Sequence, residues 1–202
     1  HSQSTELLRW YDMSTLYVNN IEEKDSGSKI TLGNTLKVDS IEPKTTGGII
    51  NAKGMIIQVI VGGITARFVG TVSQSYEDVP SLNATITPQN INNKILVTLS
   101  GGLGNTAAGN ATLLRLYRGS TNIGNGTGGS NASYRFWTGA IGDEAYRLAP
   151  FSIQYLDSPS STSALTYKIQ MAAFNANGTI GGRGDDTNYT MPTVLTLMEI
   201  GG

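Results

Sequence analysis

The chain has 202 residues, enough for one domain with its own core plus an appendage. Only 14% of residues are charged, the formal net charge is -1 and Cys is absent, which excludes a basic footprint for nucleic-acid phosphates and any disulfide or thiolate-metal scaffold. The 25 glycines, with abundant Ser, Thr and Asn, suit an all-β, turn-rich chain, and no apolar run approaches the ~20 residues of a membrane span.

Residues 1–15 start at His1, the sole histidine, without Met or a signal-peptide pattern, and are expected to be a connector to a more N-terminal shaft. Leu7, Leu8, Trp10, Tyr11 and Met13 fit neither a helical nor a strand period there. Residues 16–54 contain a short element written twice. Leu16, Val18, Ile21, Glu22, Lys24, Gly27 and Ile30 recur as Leu36, Val38, Ile41, Glu42, Lys44, Gly47 and Ile50, at an offset of 20 residues (36 minus 16). A unit with so few apolar groups cannot offset the entropy of ordering about 20 residues at roughly 1–2 kcal/mol each. Identical chains side by side supply the missing apolar surface, so this stretch is expected to be a trimeric β stalk with Leu16, Val18, Ile21, Leu36, Val38 and Ile41 on its axis.

From residue 55 onward the pattern is that of a β-sandwich head, 55–202. The run 55–61 is apolar on both faces, which fits a strand buried between the core and a neighbouring subunit, with Ile57 and Val59 joining the axis set. Gly62-Gly63 is expected as a hairpin turn into an alternating strand of Ile64, Ala66, Phe68 and Gly70. Further strands are expected at 82–87, 94–100, 112–117, 134–138, 151–156, 164–172 and 193–200, with Leu165, Tyr167, Ile169 and Met171 on one face. The polar stretches 101–111 and 119–131 are expected as surface loops. Short strands without an intervening amphipathic helix argue a sandwich of jelly-roll type.

The order of an opening Ile57-Gln58-Val59 strand, Leu82-Asn83-Ala84-Thr85-Ile86-Thr87-Pro88, Lys94-Ile95-Leu96-Val97, Leu116-Tyr117-Arg118-Gly119, Tyr155-Leu156-Asp157-Ser158-Pro159 and Leu195-Thr196-Leu197-Met198-Glu199-Ile200 resembles the C-terminal domain of bacteriophage tail-fibre and related virion structural proteins. The resemblance runs from about Gly54 to the end, and the Leu-x-Val-x-x-Ile repeats fit a stalk before such a head. It implies a homotrimeric fibre tip on the virion, joined to the rest of the fibre or tail, that binds a bacterial surface receptor outside the cell and performs no chemical step.

For chemistry, nucleophilic catalysis of the Ser-His-Asp or Cys-His kind lacks a base, since His1 stands alone. A glycosidase needs two carboxyl groups roughly 5–10 Å apart, and Glu77, Asp78, Asp143, Glu144, Asp157, Asp185 and Asp186 are read as solvated turn acids. No cofactor and no metal site are expected. The densest aromatic and charged group is Tyr134, Arg135, Phe136, Trp137, Asp143, Glu144, Tyr146 and Arg147. Aromatic faces beside carboxylates and guanidinium groups are what a saccharide site uses. A carbohydrate receptor is therefore expected on Tyr134, Arg135, Trp137, Asp143, Glu144, Tyr146 and Arg147, helped by Arg183, Asp185 and Asp186 of a later loop. Two other readings are a purely structural virion decoration or collar protein and a polysaccharide-processing spike.

Replacing Val38 or Ile41 by Asp puts an unpaired charge on the expected axis, at several kcal/mol per chain and in all three chains at once. Light scattering coupled to gel filtration should then fall from three times 21.4 kDa towards a single chain. Unchanged mass and melting would mean that these side chains face solvent.

Overall fold

Alternation of apolar and polar side chains marks a half-buried strand. In the computed structural model, which describes residues 52–71, 74–127, 135–142 and 147–202, that pattern yields eleven strands and, among the described residues, no helix. The expected connector and residues 16–51 of the expected stalk, with all six of its axis residues, lie outside the described set.

The strands are β1 (Ile56–Ile64), β2 (Phe68–Gly70), β3 (Glu77–Ile86), β4 (Lys94–Asn105), β5 (Asn110–Arg118), β6 (Thr121–Ile123), β7 (Thr138–Gly142), β8 (Leu148–Asp157), β9 (Leu165–Phe174), β10 (Gly178–Ile180) and β11 (Thr193–Ile200). They form two antiparallel sheets stacked as a β-sandwich. In sheet 1 the long strand β4 has β8 along one edge. Its other edge is shared: residues 94–100 pair with β11, which pairs in turn with β1, and residues 103–105 pair with β10, which pairs with β2. Sheet 2 runs β3-β9-β5, and the far edge of β5 is likewise divided between β7 and β6.

Inward-facing side chains fill the space between the sheets. Ile95, Val97 and Leu99 of β4 and Leu195 and Leu197 of β11 meet Leu82 and Ile86 of β3, Leu114 and Leu116 of β5, and Tyr167, Ile169 and Met171 of β9. The inward set of β9 is the one that its alternation predicts.

Two carboxylates lie inside this apolar layer. Asp157 at the end of β8 is 6% exposed. It accepts two hydrogen bonds from Arg118 Nη1, at 2.8 and 2.6 Å, and one from Tyr167 Oη at 2.6 Å. Arg118 ends β5 and Tyr167 belongs to β9, so this sheet 1 carboxylate is bonded to two strands of sheet 2. Burial pushes the Tyr167 hydroxyl far above its ordinary pKa, and the bond to Asp157 adds to that, which keeps it a donor. Glu199 of β11 is fully buried and accepts from Gln58 Nε2 at 2.5 Å, Gln89 N at 2.7 Å and Asn93 Nδ2 at 2.6 Å. It thereby holds β1 and the β3–β4 turn to β11. Asp157 is therefore not the solvated turn acid expected from the sequence, and both carboxylates supply the acceptor that buried donors around them require.

The glycines account for most differences from expectation. Gly62 and Gly63 do not turn the chain. They lie inside β1, opposite Leu195 and Val194, and the turn comes later at 65–67. A Cβ on Gly62 would stand 2.2 Å from the Asn83 carbonyl oxygen of β3, so Gly is what lets the two sheets approach there. Residues 101–105, expected as loop, continue β4 and are buried. A Cβ on Gly101 would fall 2.4 Å from Thr193 Oγ1 and one on Gly104 2.6 Å from Thr179 Oγ1. The strand expected at 134–138 instead begins at Thr138. Strand β10 was not anticipated, and Thr121–Ile123 of the expected second loop forms β6.

Asp157→Ala leaves the Arg118 guanidinium and the Tyr167 hydroxyl without their buried acceptor, a loss of about 3–5 kcal/mol for a broken buried pair. Tyr167→Phe removes one donor while the ion pair stays, at about 1–2 kcal/mol. Urea unfolding followed by circular dichroism should rank the parent above Tyr167→Phe and Tyr167→Phe above Asp157→Ala. Equal midpoints for all three would show that this network does not hold the sheets together.

Candidate ligand-binding groove

The far edge of β5 changes partner at one residue. Asn110 to Leu114 pair with β7 and Leu116 to Arg118 pair with β6, so the change falls at Arg115. The chain after β6 and the chain before β7 meet here, Gly126 N donating to Phe136 O at 3.4 Å, beside a groove of about 800 Å³. Tyr76, Arg115, Tyr117, Asn122, Asn125, Arg135, Tyr155 and Gln170 line it, with the short backbone of Gly124 and Gly126.

Local packing and hydrogen bonds fix several of these side chains. Arg115 and Tyr117 face outward from sheet 2, opposite Gln170 and Lys168 of β9. Tyr76 rests on a small apolar cluster of Leu113, Ala172 and Phe174 on the same face. Its ring carries the Arg115 guanidinium, whose carbon lies 3.5 Å from the ring centroid, a cation–π contact that holds both groups flat. The carbonyl of Arg135 accepts from three donors: Arg115 Nε at 2.9 Å, Tyr76 Oη at 3.3 Å and Asn125 Nδ2 at 3.4 Å. Burial pushes the Tyr76 hydroxyl pKa up, against the opposing pull of Arg115, so it remains a donor. Asn125 Oδ1 is buried and accepts no hydrogen bond. At the margin, Asp78 accepts from Lys168 Nζ at 2.7 Å and Gln170 Nε2 at 2.7 Å, and the bond from Lys168, then that from Gln170, holds its pKa below the ordinary carboxylate value.

The lining thus offers aromatic faces, amide groups and guanidinium groups on a rigid frame. That chemistry suits a hydroxyl-rich ligand whose CH faces lie on tyrosine rings. The described lining contains no carboxylate, and so no general acid and base pair of the kind that glycoside hydrolysis uses.

The expected cluster is divided by the fold. Arg135 lines the groove. Tyr134, Asp143, Glu144 and Tyr146 lie outside the described residues. Arg147 follows the other end of β7, a strand whose five residues span roughly 17 Å. Its carbonyl oxygen lies beside Gly104 and so at the far end of β4. Phe136 is 41% exposed, whereas Trp137 is 8% exposed and packs in the core, its main-chain N donating to Leu114 O at 2.8 Å. Trp137 therefore stands inside the sandwich instead of on the ligand face.

Arg183 and Asp185 pair with each other at 2.6 Å, and Tyr189 lies under the Arg183 guanidinium at 4.3 Å. Asp186 accepts from the main chain and side chain of Asn188. These residues shape their own loop, which Arg67 anchors through the carbonyls of Arg183 and Gly184. None of them lines the groove. Of the expected axis residues, Ile57 is half-buried and Val59 is 49% exposed. Tyr76, Arg115, Tyr117, Tyr155 and Gln170 had no local signal in the sequence. They come from separate strands or turns, and only the pairing of β5 with β9 brings Arg115 beside Gln170.

No protein-family model matches the chain, and no curated protein matches its sequence. Among solved structures, the chain is 12% identical to one described as the crystal structure of infectious bursal disease virus VP2 subviral particle, with a TM-score of 0.36 over 83% of this chain and 42% of that one. It is 14% identical to the structure of infectious bursal disease virus Gx strain, with a TM-score of 0.32 over 85% of this chain and 42% of that one. The chain spans less than half the length of each.

Proposed function

We propose that the chain is the receptor-binding tip of a bacteriophage tail fibre, a homotrimeric virion structural protein that holds a bacterial surface saccharide in the groove around Arg115 without altering it. The observation that carries this reading is the groove itself, with aromatic, amide and guanidinium side chains held by the shared Arg135 carbonyl and no carboxylate among its described lining residues. Strand order supports the same reading. The orders β1-β11-β4-β8 and β3-β9-β5-β7 are those of an eight-stranded jelly roll, a fold used by capsid and lectin domains. The repeated element at 16–54 and the resemblance of the head to tail-fibre C-terminal domains supply the assembly and the setting.

A shallow polar groove gains little over water at one site. Three copies on one fibre multiply the avidity without new contacts.

Tyr117→Ala removes a stacking face worth about 0.5–1.5 kcal/mol per site. Labelled protein incubated with a panel of bacterial strains should lose at least tenfold in attachment while its melting point stays close to that of the parent. Trp137→Ala should do the reverse in origin: it opens a core cavity at about 3–5 kcal/mol and melts early. Attachment by Tyr117→Ala equal to the parent moves the receptor site elsewhere. Absence of attachment to any strain by the parent favours a purely structural virion protein, and release of reducing sugar ends favours a processing spike.

A further inference from the structure

The two outer faces of the sandwich differ in kind. On sheet 2 the outward side chains are mostly polar or charged, among them Thr85, Thr166, Lys168, Gln170 and Arg115, beside the small buried cluster of Leu113, Ala172 and Phe174 that Tyr76 covers, and Lys168 pairs with Asp78. On sheet 1 one register row runs Val59, Met198, Leu96, Leu156, each directly opposite the next across β1, β11, β4 and β8. Val59 is 49% exposed and Leu156 48%, and Val61 at 64% extends the row along β1. The row below continues with Ile200, and the row above is Val61, Thr196, Thr98 and Gln154. Lys94 is the one ionisable side chain among the outward residues of these four strands. Strand β1 pairs with β11 alone, so among the described residues its second edge carries unpaired N–H and C=O groups. A long apolar edge left open to water pairs with whatever strand it meets.

We propose that the outer face of sheet 1, centred on Val59, Met198, Leu96 and Leu156 and including the open edge of β1, seats a second copy of this chain. The inference rests on the reading of the chain as an assembled tip and names the surface that does the assembling. Three observations select another copy as the occupant. The first is where the rest of the chain attaches. The twice-written element at 16–54, read above as an element that gathers identical chains, runs directly into β1 in the sequence, and β1 is the strand at the open edge of this face. The second is charge. A face with one lysine at its margin meets its own likeness without the like-charge repulsion that the outer face of sheet 2 would create. The third is size. Four strands at ~4.8 Å spacing and eight residues at ~3.4 Å rise give about 500 Å² in projection. With the β1 edge added, this approaches the ~800 Å² per partner of a standard interface.

The chain lacks cysteine, so Val59→Cys and Thr85→Cys each introduce a sole thiol, one on each outer face. With full-length protein, maleimide should label the Val59→Cys thiol at least tenfold more slowly than the Thr85→Cys thiol, and light scattering should give a multiple of 21.4 kDa. The double variant Val59→Glu/Leu156→Glu, at two exposed positions, should drop to the single-chain mass with its β-type circular dichroism intact. Equal labelling rates overturn the proposal, because the face is then open. A single-chain mass for the parent overturns it even with slow labelling, since residues 1–51 or another body then cover the face. A multimer that survives both glutamates also overturns it and leaves the stalk as the assembly element. Should the double variant fail to fold, the labelling ratio and parent mass decide. None of these readouts depends on saccharide binding, so the groove and this face stand or fall separately.

Discussion

Each sheet is built on one strand whose backbone groups must be satisfied on both edges, and on one edge of each no single neighbour is long enough to do it. Strand β4 meets β11 along its first half and β10 along its last residues. Strand β5 meets β7 and then β6. The points where partners change are where the fold departs from a plain sandwich. On β4 the change falls among Gly101, Gly102 and Gly104, and the space that side chains would occupy is taken by Thr193, Met191 and Thr179. On β5 it falls at Arg115, a long side chain, and the groove lies beside it. The same constraint thus yields a dense seam in one sheet and a concave site in the other, and the side chain at the change of partner decides which.

This also explains which parts of the fold were legible in the sequence. Strand β11 follows from alternation alone, because Thr193, Leu195, Leu197 and Glu199 all face inward. The inward set of β9 is equally plain. Glycine misled, since the same residue marks a turn when the chain must reverse and a contact when another group must occupy the space of its missing side chain. Gly62, Gly101 and Gly104 are all of the second kind, and nothing local distinguishes them from the first. The aromatic cluster around residue 135 was visible, but residues 135–137 are not in a strand, so a strand's alternation does not set their faces. Phe136 and Trp137 consequently take faces set by the turn into β7, with the indole inside. Of the groove, Arg135 was within reach of sequence reasoning. Its partners converge from β5, β9 and the segment before β3, and their meeting is a property of register.

The buried carboxylates show how a chain with few charges uses them. Asp157 and Glu199 lie at strand ends facing the core, each surrounded by donors that would otherwise be orphaned. Burying an ion pair contributes little net stability, whereas removing one partner is costly. Such a network therefore discriminates among arrangements more than it stabilises any. The bonds of Asp157 to β5 and β9 are satisfied at one offset of sheet 1 over sheet 2, and within sheet 2 a one-residue slip of β5 along β9 would turn Arg118 outward and leave the carboxylate without that donor.

Fixing that offset matters for what the two outer surfaces can do. The groove needs Tyr76, Arg115 and Gln170 in one place on sheet 2, with Tyr155 of sheet 1 closing its flank. Tyr155 lies in β8 two residues before Asp157, so the bond that sets the offset between the sheets also sets the width of the groove. The apolar row of sheet 1 ends on Leu156, between the two. Its side chain points the opposite way, because successive strand residues alternate faces. Three consecutive residues of β8 therefore serve the groove, the outer face of sheet 1 and the core in turn. A body seated on the outer face of sheet 1 would therefore leave the groove of sheet 2 uncovered.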